Sequence, residues 1–274
     1  MSKRLKITLS TIAAILILGV LYSYFSQILI SHDYFIPNYQ KEVLTEQSSA
    51  QTIFKQTGLS PAAAKAVLDK EGFKGILKYQ DAFFEKREYE CSSLLGFFTK
   101  EDELKDDLSP PFASLKEGDI ILTLSTHSLG WRHGHTGLVV GEDSILEAAV
   151  LGTNAEIYSS EPWRYYSQYV VLRLKDSTPE FTQSLASYAK DVIRGAPYRL
   201  TSGFIGPKAP KTTDFQFGVH CSYLAWYAYQ HFGYDLDSDG GRLVSSLDIL
   251  NSPHLEVVQL YGFDPNEFLN RICS

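Results

Sequence analysis

Between Ile7 and Ile30 the chain carries no charged side chain. At 1.5 Å per residue these 24 positions make a helix of about 36 Å, enough to cross a bilayer with some tilt. Lys3, Arg4 and Lys6 precede the run, and Tyr22, Tyr24 and Phe25 crowd its far end, where an interfacial belt would sit. The basic flank is expected to stay cytoplasmic, which places everything after His32 on the other side. A cleaved signal peptide is the rival reading. Its apolar core would be shorter, and no clear Ala-x-Ala site follows, so a retained anchor over residues 1–31 is preferred. No cysteine follows closely enough to suggest lipid attachment, and the basic flank argues against a buried core helix.

What remains is long enough for one good-sized domain and an appendage. The net charge of −7 argues against nucleic acid as a main partner. Cys91, Cys221 and Cys273 cannot all pair with one another, and no Cys-x-x-Cys or His/Cys cluster suggests zinc, so neither metal nor organic cofactor is expected. Residues 32–112 read as a small helical subdomain or stalk without strand alternation. Ser60-Pro61 is a good start for a helix over Ala62–Lys70, and Gly72 stops it. A second helix is predicted over Phe73–Tyr89, with Ile76, Leu77, Tyr79 and Phe83 mostly on one face and Glu85–Glu88 solvated. Cys91 reads as a packing residue. The acidic run Glu101–Asp107 and then Ser109-Pro110-Pro111 mark a boundary.

Past it the pattern changes to strands: Ile120–Leu124, Thr136–Val140, Ile145–Ala149 and Tyr169–Leu174, the last with Arg173 opposite its apolar face. Short turns between them predict an antiparallel meander. A helix follows from Pro179 to Ile193, and another after a Gly/Pro/Lys-rich loop over Thr201–Thr213. The outline of residues 113–274 is an α+β domain with packed helices.

That last helix carries the chemistry. In Val219–Tyr229 a cysteine, Cys221, falls in the first turn, where the macrodipole and unpaired N–H groups favour its thiolate. A cysteine nucleophile needs a base, and the base needs an orienting partner. Of His127, His133 and His135, only His135 directly begins an apolar strand, and Gly134 and Gly137 predict open space around it. Glu147 stands twelve residues on, on the returning strand. The even separation allows both side chains on one face unless a bulge intervenes. Asp235-x-Asp237-x-Asp239-Gly240 copies half of a calcium loop, but Ser246 stands where the bidentate glutamate belongs.

Gly195-Ala196-Pro197-Tyr198, then Cys221-Ser222-x-Leu224-x-x-Tyr227-x-Tyr229, resembles the nucleophile half of the NlpC-type cell-wall peptidases, which are papain-like cysteine hydrolases. His135–Gly141 followed by Glu147-Ala148 resembles their histidine half. The histidine half comes first here, which is similar to the circularly permuted, YiiX-like branch, and Leu243–Pro253 also resembles that branch. The likeness spans roughly residues 115–258. It departs beside the nucleophile: His220 replaces the usual Asp before the cysteine, and Tyr223 the Gly two places after it. The resemblance implies a permuted papain-like domain with a Cys221–His135–Glu147 triad, and Tyr198 and Tyr223 at the substrate pocket. The implied substrate is a peptide or amide bond of peptidoglycan. The alternatives are an acyl-lipid hydrolase or acyltransferase and a non-catalytic cell-wall binding module. His220, adjacent to Cys221, is expected to point away from it.

Overall fold

The computed structural model describes residues 3–29, 34–93, 99–105, 108–128, 131–205, 207–209 and 218–272. Cys273 lies outside them. The uncharged run forms helix α1 (Lys3–Leu29), which buries nothing against the rest of the chain over residues 3–22. It is apolar enough to span a membrane, a test that a signal sequence also passes.

The folded body begins almost at once. The Phe35 amide donates to the Gly262 carbonyl at 2.7 Å, pinning the chain to the end of the last strand. Three helices follow: α2 (Ala50–Thr57), α3 (Pro61–Glu71) and α4 (Phe73–Phe84). Ser49 and Ser60 cap the first two by accepting the amides of Thr52 and Ala63, so the serine-proline start is realised. Helix α4 stops at Phe84, five residues short of the predicted end. Glu85-Lys86-Arg87-Glu88 offers no apolar side chain to hold another turn against the core, and the backbone is already extended at Glu85.

The chain then forms a hairpin where helix was expected, β1 (Tyr89–Ser93) against β2 (Thr99–Leu104). The acidic stretch read as a boundary is thus partly a strand, with Glu101 and Asp102 buried. Partners make this tolerable: Arg132 Nη1 lies 3.2 Å from Asp102, and the Tyr166 hydroxyl donates to Glu101 at 3.2 Å. Strands β4 (Thr126–Ser128) and β5 (Trp131–Arg132) complete this sheet in the order β1-β2-β4-β5.

The larger sheet contains β3 (Ile120–Thr123), β6 (His135–Gly141), β7 (Ser144–Glu147), β8 (Glu156–Tyr158), β9 (Tyr169–Leu174) and β10 (Leu255–Tyr261). All its pairs are antiparallel, in the order β10-β9-β3-β6-β7-β8. The predicted meander holds from β3 through β6 to β7; β8, which was not foreseen, continues it, and β9 returns to the free side of β3. Strand β10 was not legible because Val257-Val258 breaks its alternation, and a register shift between Val257 and Gln259 sits there in the pairing.

Strand parity divides the core. Ile120, Leu122, Leu138, Val140 and Leu146 face helices α5 (Pro179–Tyr188) and α6 (Cys221–His231). Ile121, Val139 and Ile145 pack with Trp163 in a smaller cluster on the opposite side. Helices α2 to α4 join the first core rather than standing apart: the Leu260 amide donates to Gly58 and the Ser60 amide to Val258, each at 2.9 Å. Arg173, on the second face of β9, is mostly buried. It forms a two-pronged ion pair with buried Asp119, 2.7 Å on each side.

Candidate active site

Cys221 is the first residue of α6, so its amide has no partner within the helix. The preceding residue, His220, is the N-cap and has extended backbone (φ −114°, ψ 172°). Its Nδ1 accepts the Tyr223 amide at 3.4 Å, which leaves the ring proton on Nε2. Because His220 is outside the helix, the rule that neighbours on a helix diverge does not govern it. Contrary to expectation, its ring lies close enough to the Cys221 thiol to help lower its pKa, and its Nε2 has no hydrogen-bond partner among the described residues.

The base side is built by β6 and β7. Their pairing sets Leu138 opposite Leu146 and Val139 opposite Ile145, which carries Glu147 to a place opposite Gly137 and diagonal to His135, all on one face. The register shift lies nearer the turn, between Val139 and Gly141, so the even count survives. His135 Nε2 and Glu147 Oε2 are 2.7 Å apart, with both residues buried (7 % and 8 % exposed). The other ring nitrogen, Nδ1, is left for Cys221, which lies close enough to act on the charge of His135.

Trp163 completes the arrangement and was not foreseen. Its indole stacks on His135 with centroids 5.0 Å apart and planes within 13°, and its Nε1–H donates to Glu147 Oε1 at 2.8 Å. One side chain thus holds both the imidazole plane and the carboxylate. It comes from a short 3-10 turn, Glu161–Tyr165, whose entry is fixed where Asp143 accepts the Ser160 amide at 2.9 Å. Glycine spacing does not create open space around His135, as predicted; it permits contact. A Cβ at Gly137 would stand 2.4 Å from Ile145 Cγ2 and 2.9 Å from Trp163 Cζ2. Gly134 has φ +70°, and a Cβ there would meet the Thr123 carbonyl at 2.5 Å.

These contacts set the charges. Burial alone would lower the pKa of His135, but hydrogen bonds to Cys221 and Glu147, and their negative charges, raise it to about 10. Burial would raise the Cys221 thiol, yet His135 and then His220 hold it well below the usual thiol value. Both shifts favour the thiolate–imidazolium form of the pair.

Tyr198 sits beside this pair. It bridges Val219 in parallel fashion, and its phenol pKa is pushed up by burial and by the charge of Cys221. Tyr223 is different: fully buried, it donates its hydroxyl to the Lys208 carbonyl at 2.7 Å, so it packs a loop onto α6 instead of facing an open pocket. His133 is tied to Ser128 Oγ at 3.0 Å and to Gly134. The half calcium loop is a succession of Asx turns, Asp237 and Asp239 amides on the preceding carboxylates at 3.1 and 3.2 Å. The Lys208 ammonium pairs with Asp237, supplying the positive charge a cation would bring.

No protein-family model matches this sequence, and no curated protein matches it. Among solved structures, the chain is similar to the crystal structure of metalloprotein YiiX from Escherichia coli O157:H7, with 21% identity and a TM-score of 0.40. That alignment covers 52% of this chain and 96% of the other.

Proposed function

We propose that this chain is a membrane-tethered, extracytoplasmic cysteine hydrolase that cleaves amide bonds in cell-wall peptides. The observation that carries the reading is the gathering of Cys221, at a helix N-terminus, beside His135, whose Nε2 lies 2.7 Å from Glu147. In this reading α1 stays in the bilayer and its basic end faces the cytoplasm.

The Cys221 sulfur attacks the amide carbonyl carbon, and the C=O electron pair moves to oxygen. The Cys221 amide N–H donates to this oxyanion, with His220 Nε2–H as the second donor. Such donors are worth about 3–4 kcal/mol apiece in acyl transfer. Collapse of the adduct breaks the C–N bond as His135 gives its proton to the departing amine, leaving a thioester on Cys221. His135, now neutral, takes a proton from water, which attacks the thioester and frees the thiolate. Glu147 and Trp163 hold the ring for both proton transfers, and Tyr198 flanks the acyl group.

The test is turnover by the full-length chain in detergent micelles on muropeptides and on acyl lipids, beside Cys221→Ala. Release of new amines from muropeptides by the wild type, and none by the variant, is expected. Cysteine-independent turnover, or none on either substrate, overturns the reading; Cys221-dependent cleavage of lipid alone overturns its substrate class.

A further inference from the structure

A second cluster of chemistry-bearing side chains lies on the smaller sheet. In the β1–β2 register Cys91 is opposite Asp102, and in the β2–β4 register Lys100 is opposite His127. Asp102 and Lys100 are two apart on β2, so Cys91, Asp102 and His127 project from one face of neighbouring strands. One donor atom from each lies within 4.8 Å of the other two. We propose that these residues bind a divalent cation of the zinc class, with the Cys91 thiolate, the Asp102 carboxylate and the His127 imidazole as its protein ligands.

The spacing suits a metal. His127 Nε2 and Asp102 Oδ1 are 3.6 Å apart, too far for a good hydrogen bond. Donors held at about 2.0–2.3 Å from a tetrahedral zinc stand about 3.3–3.6 Å from each other, and the His127–Asp102 separation lies at the upper end of that range. His127 is only 1 % exposed, and its Nδ1 has no partner among the described residues. A buried imidazole with one nitrogen unpartnered is costly to hold, and a cation on Nε2 would supply a strong bond at the other.

The surroundings suit the assignment. Arg132 Nη1 lies 3.2 Å from Asp102 Oδ2 and also donates to the Leu124 carbonyl at 2.9 Å. It therefore holds the carboxylate by its far oxygen and leaves Oδ1 turned toward His127, as supporting residues around ligating carboxylates do. Sulfur, oxygen and imidazole nitrogen together are a donor set zinc accepts, while calcium and magnesium take oxygen. Cys91 is exposed, which gives the ion an entry path and leaves its fourth position to water. On binding, the thiol gives its proton to solvent and its sulfur lone pair to the cation. No residue is shared with the Cys221 cluster, so the proposal stands apart from the hydrolase reading.

Cobalt(II) titration of the full-length chain under reducing conditions tests it, in the wild type and in Cys91→Ser, His127→Gln and Cys221→Ala. One equivalent of cobalt is expected, with thiolate-to-metal charge-transfer absorption and tetrahedral d–d bands. Cys91→Ser loses the charge-transfer band, His127→Gln binds at least about tenfold more weakly, and Cys221→Ala matches the wild type. Zinc should raise the melting temperature of the wild type and not that of Cys91→Ser, whose exposed site leaves folding intact. Absence of cobalt uptake by the wild type overturns the proposal. So does a charge-transfer band that survives Cys91→Ser and disappears in Cys221→Ala.

Discussion

Replacing Glu147 by Gln tests the proposed charge relay at its least ambiguous joint. The substitution keeps the shape of the side chain and an oxygen for His135 Nε2, now 2.7 Å from the carboxylate, but removes the charge. Raising an imidazole from the usual 6.5 to about 10 corresponds to about 5 kcal/mol in favour of its charged form, shared here between Cys221 and Glu147. A hydrogen bond to a charged group is worth about 1.5–3 kcal/mol, so the variant should lose about 10- to 100-fold in kcat/KM. The alkaline limb of the pH profile should move down from about 10 toward 6.5, because the imidazolium is less well held. Alkylation of Cys221 by iodoacetamide across pH, followed by peptide mapping, reads the thiolate without any substrate. It should show the same displacement. Stability follows the same sign: a raised histidine contributes fully below its ordinary pKa and loses that contribution as pH rises through the folded value. The melting-temperature gap between wild type and variant should therefore be widest below about pH 6.5 and close above about pH 10. Alkylation and turnover profiles that coincide with wild type would refute the assignment of Glu147.

Trp163→Phe keeps a ring over His135 but removes the indole donor to Glu147, leaving a buried carboxylate oxygen short of a partner. Calorimetry should show about 1–3 kcal/mol lost, and an unchanged melting temperature would sink the two-handed role given to this residue. Gly137→Ala forces a methyl to within 2.4 Å of Ile145 and 2.9 Å of Trp163, so it should cost about 1–3 kcal/mol and alter indole fluorescence. Arg173→Met strands the buried Asp119 carboxylate. Urea unfolding should register about 3–5 kcal/mol, and a loss under about 1 kcal/mol would mean the ion pair is not what holds β9 to the loop before β3.

How much of this was legible depended on whether a residue's partner lay close in the chain. His135 and Glu147 share a hairpin, so strand parity alone brings them to one face. Cys221 at a helix start follows from local pattern, as do the serine caps of α2 and α3. Trp163 did not announce itself, since its position depends on a turn pinned by Asp143 and on the missing side chain of Gly137. The same reason hid the Cys91–Asp102–His127 cluster: no motif spacing joins the three, and only the pairing of β2 with both β1 and β4 does. Charged composition misled where tertiary partners reversed its meaning. Glu101 and Asp102 read as a boundary because the arginine and tyrosine that make them tolerable in a strand come much later in the chain. His220 was misjudged because a helical rule was applied to a residue just outside the helix.

The pinning of Phe35 to Gly262 has a consequence for reach. Leu29 ends α1 and Phe35 is already bound to the folded body, so six residue steps join them, a leash of at most about 22 Å. A domain of this size is about 45 Å across. With α1 held in a bilayer, as proposed, Cys221 would patrol a shell no deeper than about 70 Å above the lipid. Encounter would then be lateral: rate would scale with copies per unit of membrane area, and any bond lying farther out would be spared whatever its chemistry.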